Sequence, residues 1–252
     1  MQKLRYHIPN AITSLNLLAG CLSIAYASLG HLKIAAILVF AAAIFDFSDG
    51  LVARILKSSS SMGVQLDSLA DMVSFGLAPA FLVFRNASNF LVSSQNPQGI
   101  ASAGGGTTGI AIFIPFVLSI FAALRLAKFN VDFRQREHFI GLPTPAMAIF
   151  FVSAIYSLQD TELKFIYGIT HSIIFWDGLA ILFSVLMVSE LRMIGLKFKN
   201  LAWSDNQFQY LFIGISAILL ISLQAMGIPL IILWYVILSF VYHINNAKTA
   251  SL

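Results

Sequence analysis

The chain has 252 residues, of which 58% are hydrophobic and 10% are charged, and its mean hydropathy is +0.85. This composition excludes an ordinary soluble domain, whose surface could not accommodate 22 phenylalanines. The net charge of +4 does not indicate nucleic acid binding, because the basic residues are dispersed between apolar runs. A single cysteine, Cys21, excludes a disulfide framework and a cysteine-based zinc site. We therefore predict one integral membrane domain over residues 1–252.

Apolar runs along the chain predict the membrane-spanning helices, since about 20 apolar residues cross about 30 Å of hydrocarbon. The predicted spans lie at approximately 11–29, 33–55, 65–85, 108–127, 143–159, 171–191, 207–225 and 227–245. Strand-period alternation is absent from these runs, and a helix satisfies its own backbone groups in lipid. The predicted fold class is an all-α, polytopic helical bundle of about eight transmembrane helices.

Lysine and arginine are distributed unevenly between the two sides of the predicted bundle. Counted in alternate loops, twelve of the fifteen lie on one side and three, Lys33, Arg85 and Lys164, on the other. Basic loops tend to stay in the cytoplasm. We therefore predict that both termini and the loop after the second span face the cytoplasm, and that the Gly/Ser-rich segment Ser93–Gly109 is an external loop.

Four aspartates stand near the ends of apolar runs, where lipid would normally exclude them. Asp46 and Asp49 close the second run, and Asp67 and Asp71 open the third. Spacings of three and four residues place each pair on one helix face. An ionised carboxylate near a bilayer is unfavourable unless it is paired or metal-bound, and four converging carboxylates repel one another. The pattern predicts hard divalent cations, Mg²⁺ or Mn²⁺, in a two-metal site.

The residues between these aspartates fit a phosphate-bearing substrate. Gly50 and Gly63 allow close approach of a ligand to the backbone, and Ala53 keeps the same face shallow. Arg54 supplies a fork of donors suited to a phosphate, and the helix that begins near Gly63 would favour an anion at its N-terminus. The alternative is that the acids reach water and pair with Arg54 and Lys57, but four acids at these spacings favour the metal site.

The eight fixed residues in this region resemble the complete signature of the CDP-alcohol phosphatidyltransferases: Asp46-x2-Asp49-Gly50-x2-Ala53-Arg54-x8-Gly63-x3-Asp67-x3-Asp71. Further segments resemble one branch of that family, the CDP-diacylglycerol–serine O-phosphatidyltransferases. They lie at 8–20, 71–80, 122–130 and 141–146, with a weaker likeness at 189–200. The resemblance implies the CDP-alcohol phosphotransferase fold, with a catalytic helical core over 1–200 and two additional C-terminal transmembrane helices over 201–252.

The resemblance also implies an activity, which is transfer of the phosphatidyl group from CDP-diacylglycerol to the hydroxyl of L-serine, giving phosphatidylserine and CMP. Two divalent cations, Mg²⁺ or Mn²⁺, would be held by Asp46, Asp49, Asp67 and Asp71. Asp71 would also take the proton from the attacking hydroxyl. The residues that would contact CDP-diacylglycerol are Asn10, Thr13, Asp49, Gly50, Ala53, Arg54 and Gly63. Members of this family are typically homodimers, so the resemblance implies a homodimer.

Two groups of polar residues have a structural as well as a functional interpretation. Asn10, Thr13 and Asn16 begin the first predicted span, where helix capping would explain them. Arg125, Lys128 and Asn130 end the fourth predicted span, where anchoring on the cytoplasmic side would explain them. The functional alternative for the second group is a serine-binding site, because a carboxylate in a partly dry cleft needs a cation.

Two other functions remain open from the sequence. The same reaction with glycerol 3-phosphate or inositol phosphate would want several cations, which Arg125, Lys128 and Arg134 could supply. A cation or proton transporter would use the four acids as an intramembrane ion site. Transport predicts acids near mid-membrane on distant helices, whereas these cluster at one end beside glycines. We therefore predict a multi-pass enzyme of the cytoplasmic membrane, with CDP-diacylglycerol, L-serine and membrane lipids as partners.

Overall fold

The computed structural model describes residues 2–58, 60–93, 110–132, 140–159, 172–195, 202–203 and 206–249. Helices dominate these ranges. The β-pairing within them is an isolated antiparallel bridge between Ile140 and Arg192. The predicted all-α class is confirmed. The predicted external loop lies outside the described residues from position 94 onward, as do Arg134 and Lys164.

In the described ranges the α-helices are α1 Gln2–Ser28, α2 Leu32–Ile55, α3 Ser61–Asp71, α4 Ala78–Ser93, α5 Val117–Val131, α6 Thr144–Leu158, α7 Ile173–Val188, α8 Gln207–Leu223 and α9 Gly227–Thr249. A π-helical turn, Met72–Leu77, joins α3 to α4 without a break in the helical path. Short 3₁₀ turns at Ile114–Phe116 and Gln224–Met226 precede α5 and α9.

Among the described residues, five stretches are long and apolar enough to cross a membrane: His7–Ser28, Leu32–Ile55, Ser61–Asn89, Ile114–Val131 and Gln207–Asn245. Helices α6 and α7 are apolar but shorter. The chain is therefore a multi-pass membrane protein. Each predicted span coincides with a helical segment, but a total of eight crossings stays a prediction, because two segments are short and Gln207–Asn245 is one continuous stretch of 39 residues.

The last apolar stretch is bent into a hairpin of α8 and α9. Gln224 adopts a positive φ of 50°, and its N–H donates to the carbonyl of Leu220. A Cβ atom on Gly227 would lie only 2.5 Å from the Leu219 carbonyl oxygen, so a glycine is needed where the chain turns back. The two helices then pack against each other.

The core is formed by apolar side chains from α1, α2, α4, α5, α6, α7 and α9, with Phe75 of the π-helical turn. Its largest fully buried side chains include Phe151, Trp176 and Phe183. Helix α1 packs against both α2 and α3. This arrangement brings the end of α2 and the start of the α3–α4 helical path to one region of the molecule.

Helix α9 is attached to the core by polar contacts as well as by packing on α6. The Tyr235 hydroxyl donates to the Ile194 carbonyl at 3.1 Å, and the Ile194 N–H donates to Ser239 Oγ at 3.2 Å. Tyr235 and Leu238 belong to the buried core. The division of the chain into a core over 1–200 and two additional helices over 201–252 remains a prediction.

Candidate active site

Three of the four aspartates converge. Asp46 and Asp49 lie in the last three turns of α2, and Asp67 lies in the second half of α3. Each contributes a carboxylate oxygen, and these oxygens all lie within 4.8 Å of one another. We call these residues the three-aspartate cluster. Hard, anionic oxygen donors gathered at this spacing fit a divalent cation such as Mg²⁺ or Mn²⁺, so the cluster could hold a metal ion.

Asp71 lies beside the three-aspartate cluster but outside it. It is the last residue of α3 and is buried, within hydrogen-bonding reach of Asp46. The side-chain amide of Asn16 in α1 donates to Asp71 Oδ1 at 3.1 Å. The charge of Asp71 also acts on the guanidinium of Arg125 in α5. The fourth aspartate therefore contacts the cluster through Asp46 and has further neighbours in α1 and α5.

An open cavity of about 180 Å³ adjoins the cluster, between the first half of α1, the end of α2 and the start of α3. Its lining includes every residue predicted to contact CDP-diacylglycerol except Arg54. The full lining is Pro9, Asn10, Thr13, Asp49, Gly50, Ala53, Ser58, Ser60, Gly63, Val64 and Asp67. Since Asp49 and Asp67 belong to both features, a ligand in the cavity would touch the three-aspartate cluster.

Two local arrangements shape the cavity. Thr13 Oγ1 donates to Asp49 Oδ2 at 2.5 Å, which orients that carboxylate from α1. Ser60 caps α3 by accepting a hydrogen bond from the Gly63 N–H at 3.0 Å. A Cβ atom on Gly63 would lie 3.0 Å from Ser60 Oγ and 3.1 Å from Asn10 Oδ1, so the glycine keeps this wall free of a side chain.

The capping interpretation of Asn10, Thr13 and Asn16 is wrong. Helix α1 begins at Gln2, so these residues lie well inside the helix. Thr13 and Asn16 are buried, and each donates a hydrogen bond to an aspartate. The apolar pattern could not show this, because the predicted span included only the most apolar part of a longer helix.

Arg125 is the predicted serine-binding residue on which the charge of Asp71 acts. It is buried, with 9% of its surface exposed, and its Nη1 donates to Thr144 Oγ1 at 2.9 Å. Its Nε is buried and has no hydrogen-bond partner among the described residues. Thr144 opens α6, so the guanidinium is held between α5 and α6 with the charge of Asp71 acting on it.

Lys128 and Asn130 point to other partners. The Lys128 ammonium forms a salt bridge with Glu190 at 2.7 Å on a partly exposed surface. The side-chain amide of Asn130 donates to Ser68 Oγ at 2.9 Å, also at an exposed position. Neither residue lines the cavity. Of the three predicted serine-binding residues, Arg125 therefore combines a buried charge with proximity to Asp71.

Residues 6–186 match the family model described as CDP-alcohol phosphatidyltransferase. The chain belongs to this family. Three relatives named CDP-diacylglycerol–serine O-phosphatidyltransferase are similar to this phosphatidyltransferase over most of its length. The protein of Helicobacter pylori strain J99 is 34% identical over 225 residues, which cover 88% of this chain and 86% of the relative. That of Mycobacterium leprae is 31% identical over 247 residues, covering 95% and 74%, and that of Methanocaldococcus jannaschii is 30% identical over 185 residues, covering 73% and 72%.

Arg54 of this phosphatidyltransferase is exposed at the end of α2. Its Nε donates to the carbonyl of Gly50 at 3.2 Å, four residues earlier on the same helix. The guanidinium therefore lies over the α2 end that carries Gly50, although the residue does not line the cavity. Its predicted contact with CDP-diacylglycerol stays a prediction.

Ser58 is a cavity residue that the sequence reasoning missed. It is buried, with 4% of its surface exposed, and its hydroxyl has no hydrogen-bond partner among the described residues. It lines the same cavity as Ser60 and Gly63. The available signal was the run of four serines at 58–61 beside a signature glycine, which the sequence alone could not distinguish from an ordinary polar loop.

Proposed function

We propose that this phosphatidyltransferase transfers the phosphatidyl group of CDP-diacylglycerol to the hydroxyl of L-serine, giving phosphatidylserine and CMP, in phospholipid biosynthesis. The observation on which this depends is the cavity lined by signature residues and sharing Asp49 and Asp67 with the three-aspartate cluster. The relatives' names support serine as the acceptor.

Asp46, Asp49 and Asp67 would hold the divalent cations, Mg²⁺ or Mn²⁺, and the four-carboxylate pattern supports two ions. Bound cations would neutralise negative charge on the pyrophosphate and on the departing CMP. Asp71 is predicted both as a fourth ligand and as the base. Its position outside the group of three favours the role of base.

The cytidine diphosphate group of the lipid substrate would occupy the cavity, with its acyl chains in the bilayer. Thr13 would keep Asp49 in place, and Gly50 and Gly63 would let the phosphates approach the backbone. The unpartnered Ser58 hydroxyl offers a donor to the same group. The N-terminus of α3, which begins beside Ser60, adds the partial positive charge of its first N–H groups.

The chemical step is a displacement at phosphorus. The serine hydroxyl oxygen forms a bond to the lipid-bearing phosphorus, and the bond from that phosphorus to the bridging oxygen breaks. CMP leaves with the bonding electron pair, and Asp71 receives the hydroxyl proton. A carboxylate beside cations is a weak base, so Asp71 would act through its closeness to the attacking hydroxyl rather than through basicity.

Arg125 would bind the serine carboxylate, held in place by Thr144 and close enough to Asp71 to align the two ends of serine. Arg125→Leu is expected to raise the KM for serine about tenfold to 100-fold, because a hydrogen bond to a charged group is lost, and to leave the KM for CDP-diacylglycerol within about threefold. Steady-state CMP release at varied serine measures this change.

Arg85→Leu is the matched control for Arg125→Leu. Arg85 also has a buried Nε without a partner among the described residues, but it lies in α4 beside Gly30 and outside the cavity. The Arg85→Leu variant should leave the KM values for serine and for CDP-diacylglycerol unchanged. An unchanged serine KM in Arg125→Leu would exclude the proposed carboxylate contact, and Lys128→Ala would then test the second predicted cation.

The test of the function is CMP release by the purified protein. The protein would receive CDP-diacylglycerol and Mn²⁺ or Mg²⁺, with L-serine, glycerol 3-phosphate or inositol phosphate supplied in turn. We expect CMP and phosphatidylserine to form only when L-serine is the acceptor. CMP release with a phosphate-bearing acceptor but not with serine would overturn the assignment of serine as the acceptor. No CMP release with any acceptor would overturn the proposed reaction.

The proposed location is the cytoplasmic membrane, with the site and both termini in the cytoplasm, where CDP-diacylglycerol and serine meet. The twelve-to-three distribution of basic residues supports this orientation. A reporter enzyme that works only in the cytoplasm should be active when fused after Leu252. The family resemblance supports a homodimer, which the mass of the purified protein in detergent would test.

A further inference from the structure

One face of the C-terminal helix α9 binds main-chain groups of the segment that follows α7. Tyr235, Ser239 and His243 are spaced four residues apart, which places them on one side of α9. The Tyr235 hydroxyl donates to the Ile194 carbonyl at 3.1 Å, and Ser239 Oγ accepts from the Ile194 N–H at 3.2 Å. His243 Nδ1 accepts from the Arg192 N–H at 3.2 Å. Side chains of α9 therefore satisfy this backbone as a neighbouring strand would.

The same backbone is also joined to the chain that enters α6. We call residues 189–195 the connecting segment. The Gly141 N–H donates to the Leu191 carbonyl of that segment at 2.9 Å, beside the bridge between Ile140 and Arg192. Gly141 has a positive φ of 76°, and a Cβ atom there would collide with a carbonyl oxygen at the end of α7, so this approach needs glycine. The connecting segment is therefore hydrogen-bonded both to α9 and to the chain that leads into α6.

The start of α6 holds the guanidinium of Arg125. Thr144 lies three residues after Gly141, is fully buried, and accepts a hydrogen bond from Arg125 Nη1 at 2.9 Å. Between them, the Leu142 N–H donates to the Leu186 carbonyl at 3.0 Å, so this stretch is fixed to α7 as well. Arg125 Nε has no hydrogen-bond partner among the described residues. Thr144 therefore sets the direction of the guanidinium, and its own position depends on the stretch that the connecting segment holds.

Helix α9 also comes near Arg125 itself. Tyr235 and Arg125 are both buried and lie close enough to interact electrostatically. Tyr235 is within hydrogen-bonding reach of the fully buried Ser239, so the two side chains that bind Ile194 form one polar group inside the protein. Residues 6–186 match the family model, whereas the connecting segment and α9 lie beyond them. A part of the chain outside the family match therefore contacts the surroundings of the proposed serine-binding residue.

A purely structural interpretation of these contacts is that α9 supplies partners for backbone groups that an extended segment leaves unpaired. Their loss would then lower stability and affect the two substrates alike. The connecting segment predicts more than this, because it is hydrogen-bonded to the chain three residues before Thr144. Displacement of that chain would move the partner of Arg125, whereas the residues that line the cavity all lie between Pro9 and Asp67. Serine binding should therefore respond, and CDP-diacylglycerol binding should not.

We propose that α9 is part of the acceptor site. Its Tyr235 and Ser239 are positioning residues, which hold the connecting segment and with it the chain that enters α6. Thr144 then keeps Arg125 directed at the serine carboxylate. This inference rests on the proposed function, because it takes Arg125 as the residue that binds serine. It also makes a statement about the protein without substrate, which is that the hydrogen bonds of α9 keep the start of α6 in place.

The test uses Tyr235→Phe and Ser239→Ala, each of which removes one hydrogen-bonding group and changes the size of the side chain little. Each should raise the KM for serine about threefold to tenfold, because one hydrogen bond that positions the start of α6 is lost. The kcat and the KM for CDP-diacylglycerol should stay within about twofold of wild type. In an Arg125→Leu background, Ser239→Ala should raise the serine KM no further, because its effect passes through Arg125.

Amide hydrogen exchange measured by mass spectrometry follows the same connection without substrate. In Ser239→Ala and in Tyr235→Phe, the N–H groups of Gly141 and Leu142 should exchange at least about threefold faster than in wild type. Faster exchange confined to the connecting segment would show that α9 does not hold the start of α6.

Ser23→Ala and Tyr242→Phe are the matched controls. Ser23 is a fully buried serine of α1 that donates to the Ala35 carbonyl at 2.8 Å. Tyr242 lies in α9 itself, where its ring packs edge-on against Phe208 of α8 with 5.3 Å between the ring centroids. Both variants should leave the serine KM and the exchange at the start of α6 unchanged. The melting temperature of Ser23→Ala sets the shift expected from losing one buried hydrogen bond, and that of Ser239→Ala should be similar.

Three results would overturn the role of α9: a serine KM that rises less than threefold in both variants, an equal rise in the KM values for serine and CDP-diacylglycerol, or a rise that persists in the Arg125→Leu background. If Ser239→Ala does not melt cooperatively, Tyr235→Phe decides by the same comparison of KM values. A wild-type protein without serine-dependent CMP release would contradict the proposed function instead. Hydrogen exchange still tests the hold of α9 on α6 in that case, and unchanged exchange at Gly141 would exclude it.

Discussion

Asp49→Asn is expected to weaken Mn²⁺ binding by more than about 100-fold and to reduce CMP release to background. Even the loss of an outer partner of a metal ligand typically weakens binding 10- to 100-fold, and Asp49 is itself one of three converging carboxylates. It is buried, with 5% of its surface exposed, so water cannot readily replace it. It also lines the cavity, so the same change affects the proposed lipid site.

The measurement is Mn²⁺ titration of the substrate-free protein, followed by CMP release at saturating metal. Asp177→Asn serves as the control, because Asp177 is another buried aspartate, placed in α7 outside the three-aspartate cluster. The Asp177→Asn variant should bind Mn²⁺ and release CMP as the wild-type protein does. Wild-type Mn²⁺ affinity in Asp49→Asn would remove the cluster from consideration as the metal site.

Asp71→Asn is expected to lower kcat by about 10²- to 10⁴-fold, the usual contribution of a positioned general base. The amide matches the carboxylate in size, and its oxygen can still accept the hydrogen bond from Asn16. Since the three-aspartate cluster remains intact, Mn²⁺ affinity should stay within about tenfold of wild type. A fall in kcat with retained metal binding would show that Asp71 acts as the base and that Asp46, Asp49 and Asp67 are sufficient to bind the metal.

Rapid-quench measurement of the first turnover tests Asp71→Asn, because it reports the chemical step and not product release. The wild-type protein and Asp177→Asn should show the same fast step. A first turnover within threefold of wild type would show that Asp71 does not take the proton. A loss of Mn²⁺ affinity as large as that of Asp49→Asn would instead place Asp71 among the metal ligands.

Much of the candidate site could be predicted from the sequence. Gly50, Ala53 and Gly63 were assigned from their spacing to the aspartates and from the resemblance, Asn10 and Thr13 were assigned from the resemblance, and all five line one cavity in the structure. The prediction was possible because the signature occupies two neighbouring helices and the loop between them, where residue spacing largely determines which side chains share a face.

The partners of these residues could not be predicted in the same way. Arg125, Lys128 and Asn130 lie within six residues of one another, but in the structure each has a different partner: Thr144, Glu190 and Ser68, respectively. Which of them faces Asp71 depends on how α5 is rotated against α3 and α6. That rotation is decided by the packing of many apolar side chains, and no single motif records it.

The sequence by itself determined a multi-pass helical membrane protein and a cluster of carboxylates beside glycines, because hydropathy and residue spacing act locally along each helix. The tertiary structure alone decided that three aspartates converge, that Asp71 beside them accepts a hydrogen bond from Asn16, and that Ser58 enters the cavity wall. These outcomes depend on α1, which packs against α2 and α3 and supplies hydrogen-bond donors to Asp49 and Asp71. Contacts between residues 36 and 55 positions apart arise only when whole helices pack.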